Sequence, residues 1–321
     1  MCKPIQFMKK SIFTISAFFA LATSAVYAQQ EKLLTHFIYD KMSINPGATG
    51  LESGIAATMV YRNQWDKVNG APNSFLLNIE SPLEPVFFPG AVGVSFYHDA
   101  IGEMRQNNLI LNYSFPLRFQ NVGTLGIGLG IGLVNVGFDP AWIPPVTLVD
   151  PLLPTAKSGS SLDMNFGLHW KADKGYYIGI SSTHLSQADI IAVNYTNARH
   201  YFLIGGYTFA DVFGAGRTLD AQLLTRTDMV KYSAEVNVRY LHTLNETRGT
   251  QVYAGVTGRV SDGIGFMLGY KPSAGFTVGY SYDLTMNKLS NISKGSHEFV
   301  LKYVKQIPPP PVQKAKHPRW L

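Results

Sequence analysis

The chain of 321 residues carries 27 Lys+Arg against 21 Asp+Glu, a net charge of +6, and charged residues are only 15% of it; charge this sparse excludes a long disordered polyelectrolyte. Hydrophobic residues reach 46%, yet mean hydropathy is only +0.03, which excludes a polytopic helical membrane protein and requires apolar residues to alternate with small and polar ones. With 30 glycines, 17 tyrosines and 19 phenylalanines, the composition suits pleated strands and tight turns.

The N-terminus reads as a targeting segment. Lys3, Lys9 and Lys10 form a basic n-region, Ser11 to Ala25 an apolar h-region, and Ala25-Val26-Tyr27-Ala28 a small-residue cleavage site, so residues 1–28 are expected to be removed as a signal peptide. Gln29 would follow the cut, which does not indicate a lipoprotein. Gln29, Gln30 and Glu31 give no positive stop-transfer flank. Losing the three lysines leaves 24 basic against 21 acidic residues, a charge of +3. The single cysteine, Cys2, lies in the signal, so neither a disulfide framework nor a Cys-based zinc site is available.

Residues 29–53 precede the first strand pattern. They hold Phe37, Ile38, Tyr39, Met42 and Ile44 before the turn former Asn45-Pro46-Gly47. So apolar a segment is expected to pack inside or beneath whatever follows it.

From residue 54 to 305 the chain alternates. Leu162-Asp163-Met164-Asn165-Phe166-Gly167-Leu168-His169-Trp170-Lys171 puts Leu, Met, Phe, Leu and Trp on one face and Asp, Asn, Gly, His and Lys on the other, a period of 2 over about ten residues. Strand candidates read this way span 54–64, 73–80, 91–98, 105–115, 123–135, 161–171, 176–184, 199–208, 217–226, 229–240, 250–259, 262–271, 274–283 and 295–304. No run of about 18 apolar residues remains for a transmembrane helix. About 14 antiparallel strands behind a signal peptide predict an all-β, outer-membrane type transmembrane barrel, closed so that no backbone edge meets lipid. A secreted β-sandwich explains less well why one face carries Asp163, Lys171, Glu235, Arg239, Glu298 and Lys302 while the other is nearly all apolar. Arg62 and Gln64 share an inward face, where Arg62 is expected to meet a lumen carboxylate, and Trp65 marks the strand's outer end.

With both termini periplasmic, the two longest connections, 136–160 and 185–198, leave odd-numbered strands and become extracellular. They hold the anchor candidates Trp142, Ile143 and Tyr195, to which the turn from Trp65 to Pro72 adds Trp65, and the first connection is stiffened by Pro140, Pro144, Pro145 and Pro151. The chain closes with 306–321, where Pro308-Pro309-Pro310-Pro311 forbids a continuing strand and Lys314, Lys316 and Arg319 make a basic end suited to a periplasmic partner or the cell wall.

No catalytic or metal constellation is present. The alternating Gly126, Gly128, Gly130 and Gly132 have the period of a strand and suit a crowded lumen better than a dinucleotide loop. The eight histidines lack metal-site spacing, and His169 is expected to join Asp163 and Lys171 in a lumen network. Asp220 and Glu235 could be imagined as an acid/base pair, but nothing fixes their separation. Basic residues are scattered outside the signal and tail, which argues against nucleic acid.

Four motifs in series carry a resemblance: Ile44-Asn45-Pro46-Gly47-Ala48-Thr49-Gly50, Tyr61-Arg62-Asn63-Gln64-Trp65, Gly70-Ala71-Pro72 and Asp99-Ala100-Ile101-Gly102. Together they resemble the PorP/SprF family of Bacteroidetes outer-membrane proteins, over residues 29–305. Gly47-Ala48 departs mildly from the family pattern, and the Pro-rich tail is not part of it. The resemblance implies a non-enzymatic barrel of the type IX secretion and gliding machinery, without a cofactor. Such barrels associate with periplasmic components or with the C-terminal domains of secreted adhesins. The other reading is a passive porin built on the same barrel.

Overall fold

Alternation becomes architecture because a residue pointing into a barrel and its neighbour pointing out meet different solvents. The computed structural model describes residues 32–51, 54–83, 88–139, 157–260 and 262–307. Its strands are β1 (Gly54–Asn63), β2 (Asn73–Pro82), β3 (Ala91–Ile101), β4 (Met104–Phe119), β5 (Gly123–Phe138), β6 (Lys157–Ala172) and β7 (Tyr176–Thr183). A small hairpin of β8 (Asp189–Ile190) and β9 (Tyr195–Thr196) follows. Then come β10 (His200–Phe209), β11 (Arg217–Thr227), β12 (Tyr232–Asn245), β13 (Thr250–Arg259), β14 (Gly263–Ser273), β15 (Phe276–Thr285) and β16 (Ser296–Gln306). All but β8 and β9 form one closed antiparallel barrel of 14 strands, sealed where β1 pairs with β16 from Gly54↔Gln306 to Asn63↔His297.

The apolar face points outward. Leu129, Ile131 and Leu133 of β5 are 61%, 56% and 50% exposed, a surface that suits lipid and would be an aggregation liability in water. Between them Gly128, Gly130 and the buried Val134 and Val136 face the lumen.

Several strands outrun the alternating pattern. β6 starts at Lys157 and β4 ends at Phe119, because pairing continues beyond the hydrocarbon layer, where small and polar residues such as Ser158 and Ser160 carry no penalty. The β8–β9 hairpin has no sequence signal of its own; two-residue strands are too short for a period.

The barrel has unlike ends. One carries short turns, such as 120–122 and 173–175, together with the start of β1 and the finish of β16. The other carries the connections 64–72, 139–156, 184–199 and 286–295. The connection expected over 185–198 lies at this second end, where β5 finishes and β6 starts; residues 140–156 of the other lie outside the described residues.

Candidate functional site

Residues 32–51 touch strands all around the barrel, which a single segment can do only from inside. Lys32 lies near the long-loop end, where its carbonyl accepts from Arg226 Nη1 at 2.5 Å. Gly50 lies at the short-turn end, donating its N–H to Glu80 Oε2 at 2.6 Å. The segment therefore runs the length of the lumen. The sequence expectation of both ends on one side describes the barrel-closing strands; residues 32–34 sit at the opposite end.

Three sets of contacts hold this plug. Near its beginning the Thr35 and His36 N–H groups donate to Glu298 Oε2 and Oε1 at 2.8 and 2.6 Å. The Thr35 hydroxyl donates to Asp283 at 2.7 Å. Arg62 on β1 clasps the same carboxylates, with Nη1 donating to Glu298 at 3.0 Å and Nη2 lying 2.7 Å from Asp283. The ion set continues through Arg259, which reaches Glu235 at 3.1 Å and Asp262 at 2.8 Å, and Arg226, which also pairs with Glu235.

The middle of the plug is apolar. Phe37, Ile38 and Ile44 pack with Phe202, Ile204 and Leu224 of β10 and β11, and Leu34 packs with Val60, Leu76, Tyr97 and Val300 on the other side.

The last set is the Asn45-Pro46-Gly47 turn. Asn45 Nδ2 donates to the carbonyls of Leu168 and Ile180 at 2.9 and 3.2 Å, while its Oδ1 accepts from Gly47 N–H at 2.9 Å. Ser181 Oγ donates to Ile44 O at 2.7 Å. The turn lies against bare backbone: a Cβ on Gly126 or Gly128 would stand 2.0 or 2.1 Å from Gly47 atoms, and one on Gly167 2.1 Å from Asn45 Oδ1. Gly126 and Gly128 of the glycine ladder, with Gly167, and the turn motif, far apart in sequence, are the two halves of one contact.

The two cavities described between plug and wall are small. One of about 30 Å³ is lined by polar groups including Ser43, Asn112, Asp163 and His184, and another of about 10 Å³ lies by Phe37; the first is room for a water or two.

The long-loop end presents a different surface. Asp66 exchanges backbone hydrogen bonds with the 286–295 connection, N–H to Gly295 O and O from Lys294 N–H, both 2.8 Å. Gly102 N–H donates to Gly70 O at 2.9 Å. Trp65 and Lys67 are held at φ of 54° and 72°, which costs about 1–3 kcal/mol each and persists only because the neighbouring turns over-determine it. Trp65 stands between two depressions. One of about 320 Å³ is lined by Asn63, Lys67, Gly70, Asn73, Gly102 and Arg105. The other, about 430 Å³, is lined by Leu33, Gln64, Arg226, Lys231, Tyr232 and Arg259. At its edge burial opposes the charge of Asp228, but the N–H groups of Lys231 and Val230 hold its carboxyl below the ordinary value.

Other candidates fall as follows. Arg62 and Gln64 are buried; Asn63 is the last residue of β1; Asp99 accepts from Ser74 Oγ at 2.7 Å. Tyr195 is half-buried, packed against Val134, Val136 and Ile190, with its hydroxyl 3.3 Å from Gln106 Oε1. Trp142, Ile143, Lys314, Lys316 and Arg319 lie outside the described residues. Asp163 pairs with His184 at 2.8 Å rather than joining His169, because six residues along a strand place the latter about 20 Å away. Asp220 is held by Arg239 and Glu235 by Arg226, so both carboxylates are engaged in ion pairs. The sequence reading missed Thr35, His36, Asp283 and the role of Glu298; inward charge on successive strands was the available signal, but partners across a barrel have no fixed sequence spacing.

A family model for the type IX secretion system membrane protein PorP/SprF matches residues 26–303. The chain belongs to this family. It is an outer-membrane barrel of a Bacteroidetes secretion and gliding system, and its motifs at 44–50, 61–65, 70–72 and 99–102 fall on the plug turn and the long-loop end just described. No curated protein matches it. Among solved structures it is similar to the Ralstonia pickettii toluene transporter TbuX, at 10% identity and a TM-score of 0.52 over 83% of this chain and 93% of that one. It is also similar to the CymD monoaromatic hydrocarbon channel, at 11% identity and a TM-score of 0.50 over 84% and 93%. At this identity the likeness is one of fold alone.

Proposed function

We propose that this PorP/SprF barrel works by holding protein partners rather than by passing solutes, and that it has no enzymatic step. The observation that carries the reading is the filled lumen: a buried ion set, an apolar cluster and a turn seated on glycine backbone secure residues 32–51, and the cavities described between plug and wall are of about 30 and 10 Å³. A barrel so blocked must act through its ends. The long-loop end faces outside the cell and docks the C-terminal domain of a secreted adhesin, with Trp65 between its two depressions and Trp142, Ile143 and Tyr195 as further anchors. The short-turn end faces the periplasm, where Lys314, Lys316 and Arg319 reach a periplasmic secretion component or the cell wall.

Copurification from native membranes tests this. A secreted surface protein and a periplasmic component should both come down with the intact chain. Loss of the connections 139–156 and 184–199 should release the first, and truncation after Lys305 the second. A chain that copurifies with neither, and conducts in planar bilayers, would be a porin.

A further inference from the structure

One barrel strand stands above its neighbour with a side uncovered. β6 pairs with β5 along its whole length, from Phe138↔Lys157 to Gly123↔Ala172, but with β7 only from Phe166↔Ser182 to Lys171↔Tyr177. The connection after β7 covers a little more of that edge: Leu185 N–H donates to Met164 O at 2.8 Å, and Ser186 Oγ donates to Leu162 O at 3.0 Å. It then crosses to the inner face, where Ile190 packs with Val134 and Val136 and a Cβ on Gly159 would stand 2.5 Å from Ile190. Those two bonds show that the even-numbered residues here direct their backbone groups away from β5, because neighbouring residues of a strand alternate in this respect. The N–H and C=O of Ser158 and Ser160 and the N–H of Leu162 therefore face sideways, and they have no partner among the described residues.

An open edge is excluded from hydrocarbon, and this one stands clear of it. The outward side chains change from Phe166, Met164 and Leu162 to Ser160 and Ser158. Edges left open in water are blunted by proline or charge. The lower end of β4, which outruns β3 beyond Ala91↔Ser114, carries Pro116 and Arg118; Ser158 to Ser161 include neither proline nor charge.

We infer that this edge of β6 is where a partner protein adds an extended strand to the barrel. A row of alternating backbone donors and acceptors is matched by another peptide backbone, laid along it in ladder register. Ile191, between Ile190 and the Ala192 that also lies over Gly159, is 89% exposed and offers an apolar contact to the added strand. A second copy of this chain does not fit: two barrels side by side in one membrane would cross their β6 strands at about twice the strand tilt, on the order of 70–90°, too steep for a ladder. The inference deepens the docking role proposed above for the long-loop end and rests on it.

The test uses the full chain, purified alone and with the surface protein that copurifies from native membranes. Hydrogen exchange over residues 157–163 should be slowed at least about tenfold in the complex. Ser160→Pro removes an edge donor and leaves the bonds to β5 in place. It should raise the Kd at least about fivefold without moving the unfolding midpoint, while Ser160→Ala, which keeps the N–H, should bind as the unaltered chain does. Ser158→Cys, in a chain whose other cysteine, Cys2, lies in the signal segment, can carry a benzophenone maleimide, and illumination of whole cells should join it to the surface protein. An adduct confined to a second copy or to residues 139–156 of the same chain would overturn the inference, as would an unchanged Kd in the proline variant. Protection found elsewhere on the barrel but absent from 157–163 would also overturn it and leave the docking role intact. Failure of any surface protein to copurify would remove that role and the inference with it.

Discussion

Arg62 is 1% exposed and meets Glu298 and Asp283 at 3.0 and 2.7 Å. Removing one member of such a set leaves the others charged and buried, which costs about 3–5 kcal/mol, whereas replacing a whole pair with apolar groups can be nearly neutral. Arg62→Met should therefore lower the denaturant midpoint by an amount in that range, and Arg62→Met with Glu298→Leu should recover part of the loss. Gly128 carries the other residue-scale prediction. Its Cβ would lie 2.1 Å from the Gly47 nitrogen and 2.1 Å from the Pro46 carbonyl carbon, and backbone cannot yield as a flexible side chain does. Gly128→Val should unseat the Asn45-Pro46-Gly47 turn and show as channel openings in planar bilayers. Gly258→Ala, where nothing lies within 4 Å, should stay silent.

At the scale of elements, the plug and the barrel wall depend on each other. The wall supplies backbone carbonyls from β6 and β7, carboxylates from β15 and β16 and apolar side chains from β10 and β11; the plug adds partners to each of these inward groups. Phe37 sits at the centre of that apolar set, 1% exposed, so Phe37→Ala should cost about 3–5 kcal/mol from lost burial and the cavity left behind, read from the unfolding midpoint. Deleting residues 33–50 should convert a silent barrel into a conducting one. If bilayer recordings of that deletion stayed silent, something other than the plug would be closing the lumen.

For the molecule as a whole, the two ends differ in the loops they carry. At the long-loop end three connections are tied by backbone hydrogen bonds around a half-buried tryptophan at φ 54°, an arrangement that holds its shape before a partner arrives and so spares ordering entropy on binding. Trp65→Ala should weaken association with the copurifying surface protein by more than about 1 kcal/mol, measured as a Kd ratio on detergent-solubilised barrels. An unchanged Kd would move the docking site away from both depressions.

The class of fold, the number of strands and the lipid face were legible in the sequence, because a period of 2 is a local property and the bilayer imposes it on every strand in turn. Motifs such as Asn45-Pro46-Gly47 and the alternating glycines 126–132 were legible as well, but only as separate signals. That Gly126 and Gly128 seat the turn, that Arg62 meets Glu298 236 residues away, and that Asp163 belongs to His184 rather than His169 were decided by closure of the sheet. Closure brings β1 against β16 and gives every inward residue a set of neighbours unrelated to sequence spacing. The path of residues 32–51 through the lumen is of the same kind: their composition required burial, while only the finished barrel supplied the place, the direction and the partners.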